Sequence, residues 1–551
     1  MVLITIAFQE ARKATNMKRV VVVAIILKAL LCAAYEVQRP TDLGLVGGRN
    51  IEILGTTIEE YRGIPFAEPP IGELRFKPPV PAKPWEGTLN ATSRRSGCPQ
   101  PMLNMSLTGD IDYGEDCLHL NVWAREGSSN APVLVWIYGG GFTYGSASHD
   151  NYTGAVIAAK TGIVVASMNY RVGVLGFLNA ESPESPGNMG FLDQNLALKW
   201  IKNNIERFGG DPSSITLFGE SAGAMSAHAH MLSPMSRGLF RRAIAMSGVI
   251  NSPEFTETPH ESVAKGDALA AIVGCHPDNK TLVSHPDEVI ACLRTRSADE
   301  LVKVAIRAVP GKFMPFLPTY HDAFLPEEPS AAIRSGSFDT GVELLTGVTS
   351  DEGVTFFYGL QPESEILAEH LDHFDREALI SALHKTVSSW AKGVAPPLLK
   401  DDEAEITSKA AIRRKYVDYL GDRLFVCPMH TAAAAHASRG GTVYTYVFDH
   451  WPTKRAPLTW AGVGHGFDLP YIFGLPLLDR ERVDFSDEDV ADSEKHLIMM
   501  GAFAGLPVQP GVSAWPKYTA SSPISMLLKN DNYTNIVGFR SEHCDSSSGH
   551  P

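Results

Sequence analysis

The sequence predicts an α/β fold: a large, mostly parallel central sheet with helices on both faces. Three features carry this. Six apolar, β-branched runs recur along the chain, a stretch with helical periodicity lies between two of them, and no Pro-rich or Gly/Ser linker divides the 551 residues. The runs are PVLVWIY (132–138), GIVVASM (162–168), SITLFG (214–219), RRAIAMSG (241–248), VELLTGV (342–348) and TVYTYVF (442–448). Near-continuous apolarity, rather than alternation, marks strands buried on both faces. In GFLDQNLALKWIKNNIERFGGDP, Leu192, Leu196, Trp200, Ile201, Ile205 and Phe208 recur at helical spacing, and Gly209, Gly210 and Pro212 end the helix. Strand–helix–strand units of this length require right-handed crossovers and hence a parallel sheet. Residues 35–551 therefore read as one domain.

Residues 1–34 stand apart. Met17-Lys18-Arg19 is a short basic start, the stretch 20–31 is apolar except for Lys28, and Cys32-Ala33-Ala34 offers small residues for cleavage before Tyr35. This is the pattern of a secretory signal peptide beginning at Met17, with residues 1–16 as an upstream extension. The run is short for a membrane span, and the polar end CDSSSGHP carries no hydrophobic anchor, so no stable membrane anchor is expected. Arg12, Lys13, Lys18, Arg19 and Lys28 against Glu10 give this segment a charge of +4, leaving −18 on the remainder. So acidic a surface repels phosphate backbones and excludes nucleic acid as a partner. Six cysteines remain (Cys98, Cys117, Cys275, Cys292, Cys427 and Cys544), an even number suited to disulfides in a secreted protein. No C-x-x-C pair supports a zinc or redox site, and neither metal nor cofactor is expected. Five N-x-[ST] sequons, at Asn90, Asn104, Asn151, Asn279 and Asn532, are candidate glycosylation sites.

Open parallel sheets carry their sites at the carboxyl ends of strands. Four of the loops that follow the predicted strands have chemical content. In LFGESAGAMSAHAH (217–230), Ser221 stands in G-x-S-x-G between a strand and a helix-favouring run, the context in which a sharp turn lifts a serine hydroxyl clear of the sheet as a nucleophile. WIYGGGFTYG (136–145) has three consecutive glycines, whose N–H groups can turn toward a carbonyl oxygen. Gly140 and Gly141 are the candidate oxyanion donors, with the amide of Ala222 as a third. Of 18 histidines, His465 in AGVGHGFDLPYIFG (461–474) lies in a Gly-rich loop beyond the last strand run and is the candidate base. The acid should fall between serine and histidine, where LLTGVTSDEG (344–353) offers both Asp351 and Glu352. Physical chemistry alone does not choose between them.

YRGIPFAEPPIGELRFKPP, EDCLHLNVW, VLVWIYGGGF, NYRVGVLGFL, GNMGFLDQNLALKWIKNNIERFGGDP, ITLFGESAGA, FRRAIAMSG, GVTSDEG and HGFDLPYIFG together resemble the type-B carboxylesterase/cholinesterase family of α/β-hydrolases, from about Leu45 to about Cys544. The resemblance implies a secreted carboxylic-ester hydrolase with Ser221 as nucleophile, His465 as base and Glu352 as acid, acting through an acyl-enzyme on a small-molecule ester. It also implies the pairs Cys98–Cys117, Cys275–Cys292 and Cys427–Cys544. Departures bear on the substrate. Cholinesterases carry a choline-binding tryptophan between the first cysteine pair, whereas here Tyr113 is the only aromatic. Thr355 stands where they set an additional aromatic, and Lys312 and Met314 replace the phenylalanines that narrow their acyl pocket. These changes favour uncharged esters in a roomier pocket. Two alternatives remain: a choline-ester hydrolase, and a non-catalytic adhesion or binding member of the fold.

Overall fold

The computed structural model describes residues 35–101, 111–310, 314–360, 365–390, 408–452, 460–478, 485–507, 515–530 and 532–547. The expected signal segment 1–34, the Asn104 sequon and Lys312 lie outside them. Fifteen strands are described: β1 (Val37–Thr41), β2 (Gly44–Ile53), β3 (Thr56–Pro65), β4 (Thr88–Asn90), β5 (His119–Arg125), β6 (Ala131–Ile137), β7 (Val164–Met168), β8 (Asn179–Ser182), β9 (Ser185–Pro186), β10 (Gly210–Glu220), β11 (Arg242–Met246), β12 (Glu343–Thr349), β13 (Val443–Phe448), β14 (Ile524–Lys529) and β15 (Asn532–Val537). All but β8 and β9 join one sheet, in the order β1-β2-β3-β5-β7-β6-β10-β11-β12-β13-β14-β15, with β4 beside β2.

The six predicted runs are β6, β7, β10, β11, β12 and β13, and these pair parallel through the centre of the sheet. Both flanks are antiparallel: β1 through β3 to β5 and β7 on one side, β14 to β15 on the other. The sheet is thus mixed, with a parallel core. The antiparallel strands escape an apolar-run search because some bury charge. Glu59, Glu60 and Arg62 of β3 are nearly fully buried, and ion pairs with Arg39, Arg49 and Asp150 compensate them at 2.5, 2.6 and 2.9 Å.

The predicted helix is α1 (Met189–Asn204), continued by a 3₁₀ turn to Phe208 and stopped by Gly209 at φ 85°. Of the expected stripe, Trp200, Ile201, Ile205 and Phe208 are buried but Leu192 and Leu196 are only half-buried, while Asp193, Gln194 and Asn195 are buried. Asp193 holds the guanidinium of Arg171 at 2.8 and 2.7 Å, so a polar joint is set into an otherwise apolar buried face. Three further helices frame the site: α2 (Ala222–Leu232), α3 (Lys409–Gly421) and α4 (Cys427–Ser438). A π turn, Asp422–Val426, joins the last two. Disulfides connect Cys98 with Cys117, Cys275 with Cys292 and Cys427 with Cys544. Among the described residues no helix is long and apolar enough to cross a membrane.

Candidate active site

Strand β10 ends at Glu220 and α2 begins at Ala222, leaving Ser221 alone in the turn at φ 56° and ψ −124°. A non-glycine residue there is strained, and it persists only because its surroundings fix it. The fixing is steric. A Cβ on Gly223 would lie 2.0 Å from the carbonyl oxygen of Ile137, and one on Gly219 would lie 2.4 Å from the Gly223 backbone. Strand and helix therefore pass close enough to admit only hydrogen at these positions.

The glycine loop follows β6 directly. Gly140 and Gly141 have φ of 113° and 59°, and a Cβ on Gly139 would lie 3.0 Å from the Ser221 Cβ, so the loop lies against the elbow. Among the described residues the N–H groups of Gly140, Gly141 and Ala222 donate no hydrogen bond. Three unspent donors beside a serine form a cradle suited to a developing oxyanion. Met314 lies over it: a Cβ on Gly141 would lie 2.4 Å from the Met314 Sδ.

The candidate acid and base come from loops after β12 and β13. His465 Nδ1 lies 2.6 Å from Glu352 Oε2, which fixes the tautomer. Glu352 is buried, and its Oε1 accepts from Ser247 Oγ at 2.5 Å and from the Thr349 N–H at 2.8 Å. Of the two adjacent carboxylates, Glu352 thus faces the imidazole. Asp351 instead pairs with Arg414. The imidazole packs against Phe356 and Phe425, with centroids 5.1 and 4.5 Å away, and Thr355 Oγ1 donates to the His465 carbonyl at 3.1 Å. Where an additional aromatic was the point of comparison, Thr355 is therefore a hydrogen bond to the base loop.

The far side of the ring meets the elbow through Glu220. His465 Nε2 lies 3.0 Å from Glu220 Oε1, which has no hydrogen-bond partner among the described residues. No hydrogen bond joins Ser221 Oγ to His465 among them; such bonds often tighten only when substrate binds. Burial lowers the His465 pKa, but Glu220 and Glu352 outweigh it and raise the group to about 9. Burial raises Glu220 to about 8, with His465 opposing and Asp468 and Glu352 adding. These groups are coupled, so their titration belongs to the pair rather than to either residue.

Sequence reasoning missed Glu220, Ser247 and Asp468. Glu220 carried a signal, as the one charge at the end of an apolar strand. Asp468 is fully buried with Oδ1 unpartnered, and burial and Glu352 raise it to about 6. It lies three residues past His465, in the quoted motif. Ser247 offered no signal, because only tertiary packing brings it to Glu352. Among the described residues, no group of three or more His, Cys, Asp or Glu side chains is disposed to hold a metal.

A family model described as the carboxylesterase family matches residues 36–546. The chain is also 37% identical over 543 residues to an acetylcholinesterase of Bungarus fasciatus, covering 93% of this chain and 86% of that protein.

Proposed function

Because the chain belongs to the carboxylesterase family, we propose that it is a secreted serine hydrolase that cleaves uncharged carboxylic esters through a Ser221–His465–Glu352 triad. Ser221 Oγ attacks the ester carbonyl as His465 Nε2 takes its proton. The N–H groups of Gly140, Gly141 and Ala222 receive the oxyanion. Glu352 orients the imidazole and stabilises its cation, the protonated ring hands its proton to the leaving alcohol, and water releases the acyl group by the same route. The observation that carries this proposal is the 2.6 Å contact of Glu352 with one ring nitrogen while the other reaches the residue beside Ser221.

The preference for neutral esters is supported by Met314 in the acyl-pocket segment, by Thr355, and by the lack of tryptophan between Cys98 and Cys117. The likeness to an acetylcholinesterase favours a second reading, choline-ester hydrolysis. A panel pairing a neutral aryl acetate with acetylcholine separates the two: kcat/KM should favour the aryl ester, and a strong preference for acetylcholine overturns the choice. A fluorophosphonate should label Ser221; an unlabelled chain would point to a binding role. Secretion is supported by the three disulfides, and glycosylation by the exposure of Asn90, Asn151, Asn279 and Asn532. A drop in mass after enzymatic removal of N-glycans tests the latter.

A further inference from the structure

Asp351 adjoins the carboxylate that holds His465, yet its side chain serves the backbone of the histidine loop. Its N–H donates to the Val463 carbonyl at 2.9 Å, and its Oδ2 accepts the Val463 N–H at 2.8 Å. The result is a two-way clasp placed two residues before His465. Ser350 Oγ donates to the same Oδ2 at 2.7 Å, and Arg414 pairs with Oδ1. From Arg414 the chain of charges continues to Asp418 at 2.7 Å and then to Arg540, also at 2.7 Å. The clasp is thereby anchored in α3 and in the segment that follows β15. It has no slack, since a Cβ on Gly462 would lie 2.2 Å from Asp351 Oδ2.

The acid and base loops are therefore joined at three points: Glu352 to the imidazole, Thr355 to the His465 carbonyl, and Asp351, by two hydrogen bonds, to the Val463 backbone. A displacement of about 1 Å at a reacting group can cost about 10² in rate, so a clasp on the backbone two residues before His465 bears on how the ring meets Glu352. Building on the serine-hydrolase proposal above, we infer that Asp351 is a positioning residue that sets where His465 meets Glu352, with Arg414 holding Asp351 in place.

The test uses the full chain with a neutral aryl ester and compares Asp351→Ala, Asp351→Asn, His465→Ala and the Asp351→Ala/His465→Ala double variant. Asp351→Ala should lower kcat by about 10- to 100-fold with KM changed less than about threefold. Asp351→Asn keeps an oxygen for the Val463 N–H and should recover most of that loss. In the His465→Ala background, Asp351→Ala should have no further effect, because there is no ring left to aim. An equal loss in both backgrounds, a change confined to KM, an unchanged kcat or a failed Asn rescue overturns the inference. Should Asp351→Ala not fold, Arg414→Met decides instead: kcat falls severalfold at constant KM, or the inference fails. Full activity of His465→Ala itself would overturn the triad, a separate outcome.

Discussion

The two halves of the site are held by opposite means. On the nucleophile side, Gly219, Gly223 and the glycine loop fit backbone against backbone with no room for a methyl group. On the acid–base side, two loops from distant parts of the chain are stitched by side chains: Glu352 to His465, Asp351 to Val463, Ser247 to Glu352. The first half resists deformation by excluded volume, the second by directed hydrogen bonds between ionisable groups. Substitutions in the first should therefore act through shape, and changes of pH should act through the second.

The largest expected effect is at the proposed nucleophile. Ser221→Ala should lower turnover by about 10⁶ with the fold retained, since the elbow depends on its small neighbours more than on the hydroxyl. Steady-state hydrolysis of an aryl ester together with near-UV circular dichroism checks both parts. Next comes Gly141→Ala, which forces a Cβ onto the Met314 Sδ at a φ of 59° and should cost about 10²–10³ in kcat by misaligning an oxyanion donor. Adding Met314→Ala restores space but not the backbone angle, so only part of the activity should return.

Removing the disulfide that closes the 117-residue separation, by Cys427→Ser with Cys544→Ser, should destabilise the fold by about 3–5 kcal/mol, read as a lower denaturation midpoint. The smallest effect sharpens the electrostatic half. Because His465 is raised to about 9 and must be neutral to act, kcat/KM should climb with pH from neutrality toward that value. Glu220→Gln removes one of the carboxylates that raise it, so the acid limb should move to lower pH, about tenfold in relative activity per unit moved. A limb that stays put would show that the contact at Nε2 does not govern the base.

The same contrast explains what the sequence disclosed. Ser221, Gly140, Gly141 and Ala222 belong to contiguous motifs whose geometry follows from their own spacing, and the parallel core follows from unbroken apolar runs. Physical chemistry alone left the acid as a pair of alternatives, and only the family resemblance pointed to Glu352, because Asp351 and Glu352 are chemically alike and their difference lies in which partner each meets across the fold. Glu220 was visible but unremarked, while Ser247 and Arg414 had no local mark. The antiparallel flank was hidden by its own compensated charges: β3 looks polar because Glu59, Glu60 and Arg62 face partners from other segments. Likewise the burial of Asp193 in α1 follows from Arg171, which lies upstream of the helix.

The bond between Cys427 and Cys544 makes everything between them a covalent ring, and His465 is inside it. A single protease nick at any peptide within that ring would leave both cut ends attached to the rest of the molecule. The nicked protein would run as one species without reductant and as two with it. Until the bond was reduced, the imidazole would remain covalently joined to the rest of the chain on both sides of the cut.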